Sequence, residues 1–268
     1  MPEQDNNPIP ESTDNLTFWE HLDVLRTSLF RILGFIFVAF VGSFIIMPYI
    51  FDDFILGATS SDFFLYKIFA SIGHLPFTPD FSDADFKVDI ININVASQFM
   101  THMSTSFWMS VIISFPYILY EIWRFIRPAL LPEEIKNVST AFLFGTFMFF
   151  LGCSIGYTLV FPLTFRFLTQ YTLGQEIVNQ INLNSYISMF LMLIMVMGIV
   201  FELPLLAWVL SKLGLINKNL LKKYRRYAVV ALLILAAVIT PSGDPFTLMI
   251  VFLPLYFLYE LSIKVVKE

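Results

Sequence analysis

The stretch from Tyr186 to Leu210, YISMFLMLIMVMGIVFELPLLAWVL, decides the class of fold. It runs 25 residues with one charged side chain, Glu202. A helix of that length spans about 38 Å at 1.5 Å per residue, more than the roughly 30 Å of hydrocarbon in a bilayer. Working outward, three further charge-free windows qualify as spans: Ile32 to Phe51, one within Ile90 to Tyr120 that begins near Gln98, and one within Asn137 to Phe165. The last carries Gly145, Gly152 and Gly156, which include a small-xxx-small pair suited to close helix contact.

Two shorter apolar runs follow, Tyr227 to Thr240 and Phe246 to Tyr259. Each has 14 residues, or about 21 Å of helix, which is short for a relaxed bilayer. The segment Thr240-Pro-Ser-Gly-Asp-Pro245 between them breaks any continuous helix, so the pair reads as a short helical hairpin. The expected fold is an all-α membrane protein with six transmembrane helices.

Composition agrees. Hydrophobic residues make up 57% of the 268 and charged residues only 14%, against about 25% charged in a soluble domain. The net charge of -5 supplies no basic face, so nucleic acid is not an expected partner. The single cysteine, Cys153, lies in an apolar run and reads as a small packed residue. Residues 1–16 form a polar tail without a basic n-region or an apolar h-region, so no cleaved signal is expected. Residues 17–268 form one transmembrane domain, with no visible inverted repeat.

Lysine and arginine orient it. Placing the N-terminus in the cytoplasm puts 13 of the 16 basic residues on that side and leaves Lys67, Lys87 and Arg166 on the other. The positive-inside rule therefore selects N-in and C-in with an even number of spans. The loop at about 52–97, with seven aspartates, then faces outward, and those at about 121–137 and 211–226 face the cytoplasm.

Three places offer chemistry. Thr17 to Phe30 reads as an amphipathic helix entering the first span: Thr17 and Glu20 form a capping box, while Phe18, Leu22, Leu25 and Leu29 share a face. Its polar residues Glu20, His21, Asp23 and Arg26 are either simply solvated or an acidic surface for a cationic ligand. In the loop after the second span, Tyr120 and Trp123 suit an interfacial belt. Pro128 and Pro132 stiffen the turn, and a short helix opening at Glu133 places Glu133 and Glu134 at its N-terminus.

Glu202 is the third. An ionisable group near the bilayer centre costs about 2.5 to 3.5 kcal/mol on insertion scales. Pro204 loosens the turn around it, so a kinked, hydrated pocket or a polar partner helix is expected. A glutamate close enough to the interface to reach water is the plainer reading. No Gly-Lys of a Walker loop, HExxH, GxSxG or CxxC pattern occurs, and His21, His74 and His102 have no metal-ligand spacing. Neither an enzyme nor a cofactor is expected.

Several segments together resemble the TatC family, the multispanning core and signal-peptide receptor of the twin-arginine protein translocase. His21-Leu-Asp-Val-Leu-Arg26 is similar to that family's entry motif HLxELR. Trp123-x-Phe125-Ile126-x-Pro128-Ala129-Leu130 followed by Glu134 is similar to its first cytoplasmic loop. Phe161-Pro-Leu163, Phe201-Glu-Leu-Pro204, the basic run Lys222 to Tyr227 and the Thr240-Pro241 hairpin follow in the family's order. The resemblance covers roughly Phe18 to Ser262 apart from the outward loop.

It implies a protein of the bacterial cytoplasmic membrane that binds twin-arginine signal peptides through Glu20, Asp23, Arg26, Phe125, Pro128 and Glu134. It further implies an oligomeric complex in membrane lipid with single-span TatA and TatB partners, driven by the protonmotive force and contacting them within the membrane at Glu202 and Pro204. Where the motif has glutamate this chain has Val24. Glu20 lies four residues earlier, a rotation of about 400°, on nearly the same face, and with Asp23 it supplies the missing charge. From the residues alone, an ion-coupled secondary transporter using Glu202 and an assembly scaffold both stay open.

Overall fold

A computed structural model of the chain describes residues 18–72, 86–126, 132–172, 174, 179–212, 214–240 and 244–266, with the side chains of 18–21, 70–72, 126 and 132–139 left aside. The helices are α1 (Phe18–Ile50), α2 (Phe64–Ile72), α3 (Ser97–Ile126), α4 (Pro132–Ile155), α5 (Phe161–Gln170), α6 (Leu183–Val200), α7 (Leu203–Lys212), α8 (Lys218–Lys223), α9 (Arg225–Ile239) and α10 (Pro245–Val265). Two-residue strands β1 (Ile90–Ile91) and β2 (Ile181–Asn182) pair in parallel, Ile90 opposite Ile181.

Among the described residues, five helical runs are long and apolar enough to cross a membrane: Leu22–Thr59, Ser97–Phe125, Thr140–Gln170, Leu183–Lys212 and Pro245–Val265. The chain is thus a multi-pass helical membrane protein. The amphipathic segment and the first span are one helix of 33 residues, about 50 Å long, so α1 overhangs any 30 Å core by several turns. The helix opening at Pro132 is not short. It continues as the third span, because no charged residue follows Lys136 and nothing interrupts the helix before the π-helical segment Gly156–Val160.

The final hairpin also departs from expectation. α9 has 15 residues, but α10 has 21, about 32 Å. The apolar run ends at Tyr259, whereas the helix continues through Glu260, a good helix former whose Oε2 stands 2.9 Å from Arg225 Nη2. Asp244 caps the other end, its Oδ1 accepting from Thr247 N at 2.8 Å, with Pro245 in the first turn.

The core is built around α6. Tyr186, Leu193 and Met197 are wholly buried, packed with Phe149 and Phe161 and, from the hairpin, Ala236, Val251 and Leu255. α1 is peripheral and pairs with α3 in antiparallel register: Phe35 stacks on Tyr117 at 4.5 Å, and farther along His102 Nε2 lies 2.8 Å from the Phe44 carbonyl. α4 and α6 cross closely at glycines. A Cβ on Gly152 would lie 2.6 Å from the Met197 carbonyl, and one on Gly156 3.0 Å from Ile194 Cα. Cys153 is buried against Gly198, in keeping with a packed residue.

The segment after α1 is folded rather than a bare loop. A π-helical turn Phe51–Ile55, a 3-10 turn Gly57–Thr59 and α2 cover the end of the bundle remote from the N-terminus. Tyr186 Oη donates to the Ile55 carbonyl, Tyr157 Oη to that of Phe54 at 2.9 Å, and Tyr66 Oη to those of Ala58 and Pro162 at 3.0 and 3.2 Å.

Candidate functional site

The N-terminus of α1 and the C-terminus of α3 share one end of the bundle, and α4 starts there, six residues after α3 ends at Ile126. Asp23 and Arg26 are exposed on α1; Thr27 Oγ1 donates to the Asp23 carbonyl at 2.9 Å, and the Arg26 guanidinium stands 5.8 Å from the Phe30 ring. Leu22, Leu25 and Leu29 are exposed too, a stripe that none of the described residues covers. Glu20 lies on α1 and Glu134 in the first turn of α4, with their side chains outside the described set. Thr17 and Pro128, and with Thr17 the capping box, lie outside the described residues. Phe125 is half-buried in the last turn of α3. The fold therefore brings the elements bearing Glu20, Asp23, Phe125 and Glu134 to a common end.

Glu202 sits at the break between α6 and α7. Pro204 has no N–H to continue the ladder, and the backbone tightens there: Glu202 N donates to the Ile199 carbonyl at 3.0 Å, a three-residue step instead of four. Both carboxylate oxygens are buried without a hydrogen-bond partner among the described residues. Oε2 points at Gly145 of α4, where a Cβ would come within 2.9 Å of it and 2.5 Å of Leu205 Cδ2. The glycine leaves the slot into which the carboxylate fits. Pro204 itself is buried.

Two charged residues with structural prominence escape the sequence reading. Arg166 on α5 is wholly buried, its guanidinium 4.3 Å from the Phe86 ring and 4.7 Å from that of Tyr66. It fastens α2 and the segment before β1 onto α5, and burial pushes the Tyr66 phenol above its ordinary range although Arg166 pulls it down. A lone arginine among aromatics, Phe161-Pro-Leu-Thr-Phe-Arg-Phe167, was the available signal. Glu121 is the second. It stands in the sequence between the belt residues Tyr120 and Trp123 and is 1% exposed in the penultimate turn of α3.

Comparison with known proteins fits this geometry. The family described as Sec-independent protein translocase protein (TatC) matches residues 20–254. A TatC from Blattabacterium sp. subsp. Periplaneta americana is 35% identical over 254 residues, covering 94% of this chain and 95% of the relative. One from Helicobacter pylori strain J99 is 34% identical over 248 residues, covering 92% and 87%. A crystal structure of the twin-arginine translocase receptor TatC in DDM superposes with a TM-score of 0.70 at 28% identity, covering 93% of this chain and all of the other. A second crystal structure of that receptor gives 0.67 over 92% of this chain. With the family's profile spanning nearly the whole helical bundle and full-length relatives above 30% identity, this chain belongs to the TatC family of Sec-independent protein translocase proteins.

Proposed function

We propose that this chain is the signal-peptide receptor of a twin-arginine translocase in the bacterial cytoplasmic membrane. It recognises paired arginines at its cytoplasmic face and, with TatA- and TatB-type single-span partners in an oligomeric complex, exports folded proteins. The carrying observation is the gathering of the acid-bearing ends of α1 and α4 at one end of a bundle that matches the family throughout. That end is cytoplasmic by the distribution of lysine and arginine, both termini lie there, and α9 serves as the sixth span. At about 22 Å it is short for a 30 Å core, which thins the bilayer beside the hairpin and suits transient passage of folded cargo better than a fixed pore. The transporter reading of Glu202 gains nothing from relatives that are named as protein translocase components.

The recognition chemistry follows from the arginine side chain. Guanidinium stays charged and presents fork-shaped donors that a carboxylate accepts two at a time. Glu134 and the α1 acids Glu20 and Asp23 are the acceptors, with Arg26, Phe125 and Pro128 shaping the surface. Exposed ion pairs contribute about 0.2 to 1 kcal/mol and charge-assisted hydrogen bonds about 1.5 to 3, whereas a micromolar complex needs about 8. The arginines therefore set specificity, and the apolar part of the signal peptide supplies most of the affinity by packing on the exposed apolar surface of the bundle.

Glu134→Ala should abolish export of a twin-arginine reporter and weaken peptide binding while the protein still accumulates in the membrane. Wild-type export in that variant would contradict the assignment. Within α1, Glu20→Gln should weaken binding, and unchanged affinity in both Glu20→Gln and Asp23→Asn would remove that helix from the site.

A further inference from the structure

One buried acid at the receptor end has no part in that account. Glu121 of α3 is 1% exposed. Tyr117 Oη donates to its Oε1 at 3.0 Å, while Oε2 has no hydrogen-bond partner among the described residues. An ionised carboxylate accepts about four hydrogen bonds, so most of its capacity is unused.

The neighbouring cation is a loose companion. Arg124 Nη1 stands 3.8 Å from Oε1, and its side chain is 52% exposed. That separation is an ion pair but exceeds hydrogen-bonding range, and the fork geometry that makes guanidinium–carboxylate pairs strong is not formed. Among the described residues, Arg31 of α1, also exposed, is a further charged group within electrostatic reach of the Tyr117 hydroxyl.

Position gives the acid its meaning. Phe35 stacks on Tyr117, so Glu121 lies in the seam between α1 and α3, just inside its open margin. Between Leu22 and Arg31 only Ser28 is buried, and the side chains of the other residues in that stretch of α1 are exposed. That margin opens at the end of the bundle where α1 and α4 begin.

We propose that Glu121 is a guanidinium-accepting site, held loosely by Arg124 in the free protein and taken over by an arginine of the arriving signal peptide. This rests on the signal-peptide reading above. The exchange replaces one guanidinium by another, so the carboxylate is never left without a cation, and the newcomer gains Oε2, which Arg124 does not engage. Lysine, a point charge without a fork, cannot bridge both oxygens in the same way. Glu121 thereby contributes to discrimination between paired arginines and paired lysines.

The test measures the affinity of purified protein in lipid nanodiscs for a twin-arginine signal peptide and for its twin-lysine counterpart. Arg124→Gln, a surface change, should tighten the twin-arginine peptide about threefold to tenfold by removing the competitor. Glu121→Gln, which keeps an acceptor for Tyr117, should weaken it about tenfold and bring the two peptides closer in affinity. Unchanged or weaker binding in Arg124→Gln overturns the exchange, even should Glu121→Gln fail to accumulate. Wild-type discrimination in Glu121→Gln overturns the site. In either case normal binding by wild-type protein and its loss in Glu134→Ala leave the receptor reading standing, whereas no binding by wild-type protein removes both.

Discussion

An ionisable side chain in a span has to be tolerated by its surroundings, and at Glu202 the tolerance comes from shape rather than from a counter-charge. Gly145 withholds a side chain where the carboxylate sits, and the turn at Pro204 releases backbone there, yet neither oxygen is satisfied among the described residues. A buried unpaired carboxylate is a stability burden, and replacing such groups by neutral ones is often neutral or stabilising. Glu202→Ala should accordingly leave thermal stability in detergent equal or higher and leave signal-peptide binding intact, while transport or partner recruitment fails. A variant that loses peptide binding and unfolds earlier would give Glu202 a folding role instead. The residue was legible in the sequence because a lone acid in 25 otherwise uncharged residues has no innocuous place to go. Its slot was not, since nothing local to Phe201-Glu-Leu-Pro204 points to Gly145, 57 positions earlier.

At the scale of elements, close approach of α4 to α6 depends on the faces that glycine opens. Helix association in lipid has little hydrophobic drive, so packing distance matters. Gly152→Ala places a methyl 2.6 Å from a backbone carbonyl that cannot swing aside. It should destabilise the protein by about 1 to 3 kcal/mol, measured as a lower midpoint in detergent unfolding. Gly34→Ala on α1 meets nothing within 4 Å and should be neutral or stabilising by up to about 1 kcal/mol. Equal effects at the two positions would show that the crossing is not held by contact. Helix starts were largely readable from local chemistry: α3 begins at Ser97 near the polar approach, and α4 at Pro132. Helix ends were less so. α10 extends past Glu260, where the apolar run has ended, and the cation beside that acid, Arg225, comes from 35 residues earlier.

For the whole molecule, charge distribution and helix alternation make the same demand. α1, α3, the α4–α5 run, the α6–α7 run, α9 and α10 alternate in direction, fixed by contacts at both ends: Phe35 with Tyr117, Tyr186 with Ile55, Phe167 with Phe246 and Arg225 with Glu260. Single-cysteine variants at Lys67, Lys222 and Lys264, labelled from either side of intact membranes, should place the first outside and the other two inside. Lys67 and Lys222 reacting from the same side would remove the six-span topology and, with it, the receptor face.

Residence in a membrane as helices, the course of four spans and the residues that break them were all legible in the order of amino acids. Those properties are local, set by apolar content, by proline and by the cost of charge in hydrocarbon. The caging of Arg166 by Tyr66 and Phe86, the enclosure of Glu121 beside Tyr117 and the room that Gly145 makes for Glu202 arise from packing in three dimensions. Each depends on which distant segment arrives at a given side chain, and a segment's own composition carries no record of its neighbour.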